Sequence, residues 1–75
     1  MKFIKTIIDY KVYAESKGIY GNVDVVVKSK NKTANLTISG GKVEMVKSGF
    51  SPKKTKDIIE TVTNNKESIE NGLIG

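Results

Sequence analysis

The side chains that most often carry out chemistry in proteins are sparse in this sequence. There is no Cys and no His, which removes thiol nucleophiles, imidazole acid/base catalysis and the usual zinc ligands. The carboxylates are scattered, and the closest helical pair, Asp57 and Glu60, lies among lysines with which surface ion pairs are the ordinary role. We therefore predict a non-catalytic protein with no catalytic residues, no bound metal and no cofactor.

Lysine is the charged residue type with an uneven distribution. All thirteen cations are Lys, and the net charge is +5. Residues 28–56 hold eight of them against Glu44 alone, so this stretch carries +7 and the remainder −2. A helix start expected at Ser51 would add backbone N–H groups that favour anions. The predicted polyanion-binding residues are Lys28, Lys30, Lys32, Lys42, Lys47, Ser51, Lys53, Lys54 and Lys56. The alternative is that these lysines solvate turns and protect sheet edges.

The absence of Arg limits how this protein could recognise nucleic acid. The planar guanidinium fork of Arg matches phosphate in a fixed bidentate geometry, whereas Lys acts as a flexible point charge. We therefore predict a small basic binding module that docks a polyanion, nucleic acid first, with little sequence selectivity and a steep dependence on salt. The alternative is a regulator or inhibitor of the compact kind that phages and mobile elements encode, which would bind an acidic surface of a host protein.

Three tyrosines near the first loop are the candidates for a protein interface: Tyr10, Tyr13 and Tyr20. Tyrosine combines a large apolar ring with a polar tip and is common at interfaces, although on strands it more often serves packing. Of the five aromatic residues only Phe50 falls within 28–56, so aromatic residues do not alternate with those lysines as a platform for stacking bases would require. The sequence therefore favours a charge-driven contact over a stacking one.

The elements that would position these residues begin with a strand over about 2–14. Polar and apolar residues alternate there, with many β-branched and aromatic side chains. Helical spacing of the same residues is the alternative, but no N-cap precedes them. Three further strands are predicted at 22–29, 33–39 and 42–48, where alternation is equally regular.

Tight turns fix how the last three strands pair. Gly40 and Gly41 form a two-residue hairpin loop, since Gly accepts the positive φ values that such loops need. This turn places Ile38 opposite Val43, Leu36 opposite Met45 and Thr37 opposite Glu44. A turn centred on residues 30–31 would place Val27 opposite Ala34, Val25 opposite Leu36 and Val23 opposite Ile38, so that all apolar pairs share one face.

A helix is predicted to begin after Ser51, with Pro52 at its first position and an apolar stripe at Ile58, Ile59 and Val62. It spans about 52–64 and either continues or restarts to 71, with Gly72 as a C-terminal cap.

The predicted fold is α+β: one domain over 1–75 in which a four-stranded antiparallel meander sheet is covered on one face by a C-terminal helix. A chain of this size buries a small core, so we also expect that pairing of two copies as a homodimer would stabilise it. The first fourteen residues contain charges and lack an uncharged apolar stretch, which predicts a cytoplasmic protein that does not bind a membrane.

Overall fold

The computed structural model describes residues 1–17 and 21–74. Five strands come first in this part of the chain and two helices follow: β1 (Lys2–Ile7), β2 (Tyr10–Lys17), β3 (Asn22–Ser29), β4 (Lys32–Ser39), β5 (Lys42–Ser48), α1 (Pro52–Asn64) and α2 (Lys66–Ile74). The strands form an antiparallel sheet in chain order. The α+β class is confirmed, but the prediction of four strands and one helix is short by one strand and one helix.

The segment predicted as one strand over 2–14 is two strands joined by a two-residue turn at Ile8 and Asp9. Ile7 pairs with Tyr10 across this turn, and Ile8 adopts the left-handed conformation with a φ of 57°. That conformation is unfavourable for a β-branched residue, and neither turn residue is Gly or Asn. The alternation of the sequence therefore continued through the turn without a visible break.

A bulge also shifts the pairing of β1. Phe3 pairs with Tyr13, but Lys5 pairs with Val12, so Ile4 is the extra residue. Lys5 consequently lies on the same side of the sheet as Val12, which is the side that the helices cover. Strict alternation, as the sequence suggested, would have placed Lys5 on the opposite side.

The pairings predicted for the last three strands are confirmed. The turn at residues 30–31 brings Val25 opposite Leu36 and Val23 opposite Ile38, and the turn at Gly40 and Gly41 brings Ile38 opposite Val43. Both glycines have positive φ values, 59° and 78°. A bulge in β5 leaves Val46 as the extra residue, since Leu36 pairs with Met45 and Asn35 pairs with Lys47.

The helix boundaries follow from identifiable caps. The Ser51 side chain accepts a hydrogen bond from the Lys54 backbone N–H at 3.3 Å, and Pro52 occupies the first turn. Asn65 ends α1, donating from its backbone N–H and its side-chain amide to the Thr61 carbonyl. The chain then restarts as α2. The prediction that Gly72 caps a helix is wrong, because Gly72 lies inside α2.

Gly72 instead allows α2 to approach β1 closely. A Cβ atom at this position would lie 3.0 Å from Cγ2 of Ile4, so any larger side chain would press on β1.

One apolar core holds the sheet and both helices together. Within the described residues its fully buried members are Tyr10, Val12, Ala14, Val23, Val25, Val27, Ala34, Leu36, Ile38, Ile58, Val62 and Ile69. Val43 and Met45 of β5, predicted on this face, are partly buried and pack against the core. Of the helices described, neither is long and apolar enough to cross a membrane.

Candidate functional site

The sheet has a second face, which we call the open face, and the two helices pack on the other side. Strand register and alternation place mostly polar and aromatic side chains on the open face: Phe3, Thr6, Lys11, Tyr13, Glu15, Asp24, Val26, Lys28, Thr33, Asn35, Thr37, Glu44 and Lys47. No element in the described part of the chain packs against this face. This face is therefore open to a ligand.

The strand register sorts these side chains into rows that run across the sheet. Nearest the turn at Ile8 and Asp9, Lys11 lies opposite Lys28. The central row consists of Phe3, Tyr13, Val26, Asn35 and Lys47. The next row is acidic, with Glu15, Asp24, Thr37 and Glu44. The open face thus has a basic, aromatic half and an acidic half.

Tyr13 is the centre of the basic half. Its ring meets the Phe3 ring edge to face, with centroids 5.4 Å apart and an angle of 68° between the ring planes. The Lys28 ammonium lies 5.2 Å from the centroid of the Tyr13 ring, which is within the range of a cation–π contact. Phe3 remains 48% exposed. The structure therefore places aromatic rings beside lysines, contrary to the sequence-based expectation that the two are separate.

A shallow depression of about 390 Å³ adjoins this aromatic pair on the open face. Val26 and Asn35 of the central row line it, together with Met1, the bulged Val46, and Asp24 and Thr37 of the acidic row. Met1 is 57% exposed and Val46 66% exposed. The depression therefore offers apolar contact, a side-chain amide that can both donate and accept hydrogen bonds, and the carboxylate and hydroxyl of the acidic row.

The lysines predicted to bind a polyanion are all exposed, but the fold divides them among separate surfaces. Lys28 and Lys47 lie on the open face and are joined there by Lys11. Lys53 and Lys56 lie in α1, on the opposite layer. Consecutive turns of a meander lie at alternate ends of the sheet, so the two lysine-bearing turns are about 26 Å apart, the length of an eight-residue strand. A single basic face from Lys28 to Lys56 is therefore not formed.

Lys42 belongs to the far end of the sheet, away from the other candidates. Its ammonium pairs with the Glu44 carboxylate at 3.4 Å, and both side chains are mostly exposed. Next to it, Lys66 of α2 donates a hydrogen bond of 2.8 Å to the Gly41 carbonyl. Lys42 and Lys66 thus serve local contacts, and Lys42 does not belong to the candidate site.

Lys30, Lys32 and Lys54 meet at the near end, around a cavity that we call the tip groove. It has a volume of about 400 Å³ and lies between the turn at Ile8 and Asp9, the turn at residues 30–31 and the start of α1. Tyr10, Phe50 and Ile8 supply its apolar lining, and Asp9 and Asp57 its carboxylates. Within the described part of the chain its three lysines form no ion pair.

Hydrogen bonds at the end of β5 fix where α1 starts and so shape the tip groove. The Gly49 backbone N–H donates to the Thr33 carbonyl at 2.9 Å, which extends the sheet by one residue. The hydroxyls of Ser48 and Thr55 share a hydrogen bond of 2.7 Å, and the Phe50 N–H donates to Ser48. The Ser51 hydroxyl accepts the Lys54 N–H as a cap, so its role in the structure is to start the helix.

Tyr10 forms the floor of the tip groove. Its ring meets the Phe50 ring at 82°, with centroids 6.2 Å apart, and its hydroxyl donates to the Asp57 carboxylate at 3.0 Å. Burial raises the pKa of the Tyr10 phenol, and the hydrogen bond and charge of Asp57 and the charge of Asp9 raise it further. The phenol is therefore held protonated, as a donor.

The three tyrosines predicted as interface anchors have different outcomes. Tyr10 is 4% exposed and belongs to the core, because the alternation of β2 places its ring on the helix-covered face with Val12 and Ala14. It is therefore not an exposed anchor. Tyr13 lies on the open face and is partly exposed. Tyr20 lies outside the described residues.

Residues 1–17 and 21–74 contain no group of three or more acidic side chains placed to hold a metal ion. In comparisons with known proteins, no family model, no curated protein and no solved structure matches this chain significantly. Function must therefore be argued from the open face and the tip groove themselves.

Proposed function

We propose that this protein is a small binding module for single-stranded nucleic acid, and that the basic, aromatic half of the open face is its binding surface. The observation that carries the proposal is the Lys28 ammonium 5.2 Å from the Tyr13 ring centroid, with the exposed Phe3 ring against the same tyrosine. Proteins that bind single strands without sequence preference combine lysines for the backbone with aromatic rings for the bases.

Each part of this half has a counterpart in a single strand. The exposed ring of Phe3 offers a stacking surface for a base, and Tyr13 holds that ring in place. Lys11, Lys28 and Lys47 are spread across the sheet and can contact successive phosphates. The depression beside them accommodates a further base, and the Asn35 amide within it can hydrogen-bond to a base edge.

The acidic row limits the length of strand that the protein holds. Glu15 and Glu44 face the same side as the lysines and would repel phosphates placed over them. The strand is therefore expected to cross the sheet from β1 to β5, a width of about 19 Å. This corresponds to about four nucleotides, at the low end of site sizes for such domains.

A flat face of this kind favours single strands over duplex. In duplex the bases are stacked on each other, so the Phe3 and Tyr13 rings would contribute nothing and three lysines would act alone. The absence of Arg argues for weak base selectivity.

Fluorescence anisotropy with labelled oligonucleotides tests the proposal. The purified protein would be titrated into single-stranded DNA, single-stranded RNA and duplex of equal length at about 50 and 200 mM salt. We expect tighter binding to a single strand than to duplex, and weaker binding at the higher salt. Absence of binding at the lower salt, or preference for duplex, would refute the proposal.

A further inference from the structure

The tip groove is lined by two turns that carry unfavourable backbone conformations. Ile8 and Lys30 are the non-glycine residues with positive φ in the described part of the chain, at 57° and 56°. At the far end of the sheet, the corresponding turn has Gly at both positions. A left-handed conformation is unfavourable for a residue with a Cβ, and such conformations cluster at binding sites.

Ile8 is also the exposed apolar residue at the rim of the groove. Its side chain is 77% exposed, although Gly or Asn would fit this turn better. Behind it, Tyr10 and Phe50 form an apolar floor that lies at the edge of the core. The combination of an exposed aliphatic rim and an aromatic floor is suited to burying one apolar side chain of a ligand.

The lysines around the groove indicate which residues should flank that apolar side chain of the ligand. Lys30, Lys32 and Lys54 surround the groove, and among the described residues none of them has an ion-pair partner, so each could meet a carboxylate. We infer that the tip groove is a docking site for an acidic peptide segment of a protein partner, which inserts one aliphatic side chain between Ile8 and Phe50.

The carboxylates in the groove favour a peptide over a nucleic-acid strand. Asp9 and Asp57 line the same cavity as the lysines and would repel a continuous chain of phosphates, whereas a peptide carries its charges on separate side chains and can place backbone N–H groups there. Tyr10, which is 4% exposed, also offers no open ring face on which a base could stack. This site is independent of the nucleic-acid surface proposed above.

NMR on the uniformly ¹⁵N-labelled full chain tests the inference with a defined probe, a short capped peptide with Glu and Asp on both sides of a central Leu. We expect amide shift changes that cluster at Ile8, Lys30 and Lys54. Replacing the central Leu by Gly should lower the affinity about tenfold, since the buried aliphatic group is lost. Replacing the acidic residues by Gln should weaken binding similarly.

Ile8→Gly separates binding from folding. Gly adopts the left-handed conformation without steric cost, so this variant should have a higher midpoint of thermal unfolding and yet bind the peptide about tenfold more weakly. Ile74→Ala is the matched control, because Ile74 is 85% exposed at the end of α2 and should not affect affinity.

Three results would overturn the inference. One is wild-type affinity of Ile8→Gly for the peptide. Another is the absence of Leu-dependent amide shifts in the groove at a peptide concentration of about 1 mM, at which binding with a dissociation constant of about 1 mM is still detected. The third is that a single-stranded oligonucleotide, and not the peptide, shifts the groove amides.

Discussion

Replacing Lys28 by Gln removes one charge from the open face and should reduce the salt dependence of nucleic-acid binding by a defined amount. The affinity of a protein for a single strand falls with salt with a slope of about −0.7 for each phosphate neutralised. Three lysines on the basic half give a slope of about −2.1. Binding should then weaken about 20-fold between about 50 and 200 mM salt for the wild type, and about 7-fold for Lys28→Gln.

The assay is fluorescence anisotropy of a labelled single strand at several salt concentrations, with the slope as the readout. Lys42→Gln is the matched control, because it removes the same charge from the same sheet but at the far end, where Lys42 pairs with Glu44. Its slope should equal that of the wild type. Equal losses of slope in both variants would show that binding depends on total charge, and would refute the assignment of the surface.

Three further expectations concern the fold that positions the two surfaces. Gly49→Ala should lower the melting temperature by about 4–8 °C, since a Cβ atom would lie 3.1 Å from the Thr33 carbonyl oxygen and overpacking costs about 1 kcal/mol or more; a melting temperature at or above the wild-type value would contradict this packing. Ser51→Ala removes the cap of α1 and should cost about 1 kcal/mol in urea unfolding, so an unchanged free energy would show that the cap is not used. Tyr10→Phe should unfold more easily than wild type at neutral pH. Folding raises the pKa of Tyr10. The stabilisation by its phenol is therefore present below pH of about 10, and it is lost as the pH rises from about 10 to the pKa of Tyr10 in the folded protein. The difference between the two proteins in urea unfolding should therefore shrink between pH of about 8 and 11, and a constant difference would argue against the protonated Tyr10–Asp57 hydrogen bond.

Two-residue turns made most of the sheet predictable. Gly40 and Gly41 identify one turn by composition, and the position of the turn at residues 30–31 follows because it puts Val25 opposite Leu36. Once these turns are placed, the period of two fixes every neighbouring pair in β3, β4 and β5. The Ser51 cap and Pro52 identified the start of α1 for a similarly local reason.

The sequence did not show that the first predicted strand is two strands, because Ile8 is an unusual residue for a tight turn. Ile8 continues the apolar alternation on either side of it, and Asp9 alone does not mark a turn. The bulge at Ile4 then changes which residues of β1 face the helices. The bulged Ile4 lies where β1 packs closely against Gly72 of α2, a tertiary contact that local sequence does not report.

The proposed binding surface was not predicted from the sequence for a related reason. The segment between β2 and β3 is longer than two residues, so no tight turn predicts the register that brings Tyr13 beside Lys28. The sequence suggested separate aromatic and basic regions, and the sheet interleaves them. The same topology removes Lys42 from the basic cluster, because the turn that carries it lies at the far end of the sheet.

The most direct test of the proposed function is to locate the nucleic acid on the protein. A single-stranded oligonucleotide titrated into the ¹⁵N-labelled protein at low salt should shift the amides of Phe3, Tyr13, Val26 and Asn35 and leave those of α1 and α2 unchanged. Shifts confined to the helices or to the tip groove, or no shifts at all, would contradict the assignment of the open face as a nucleic-acid-binding surface.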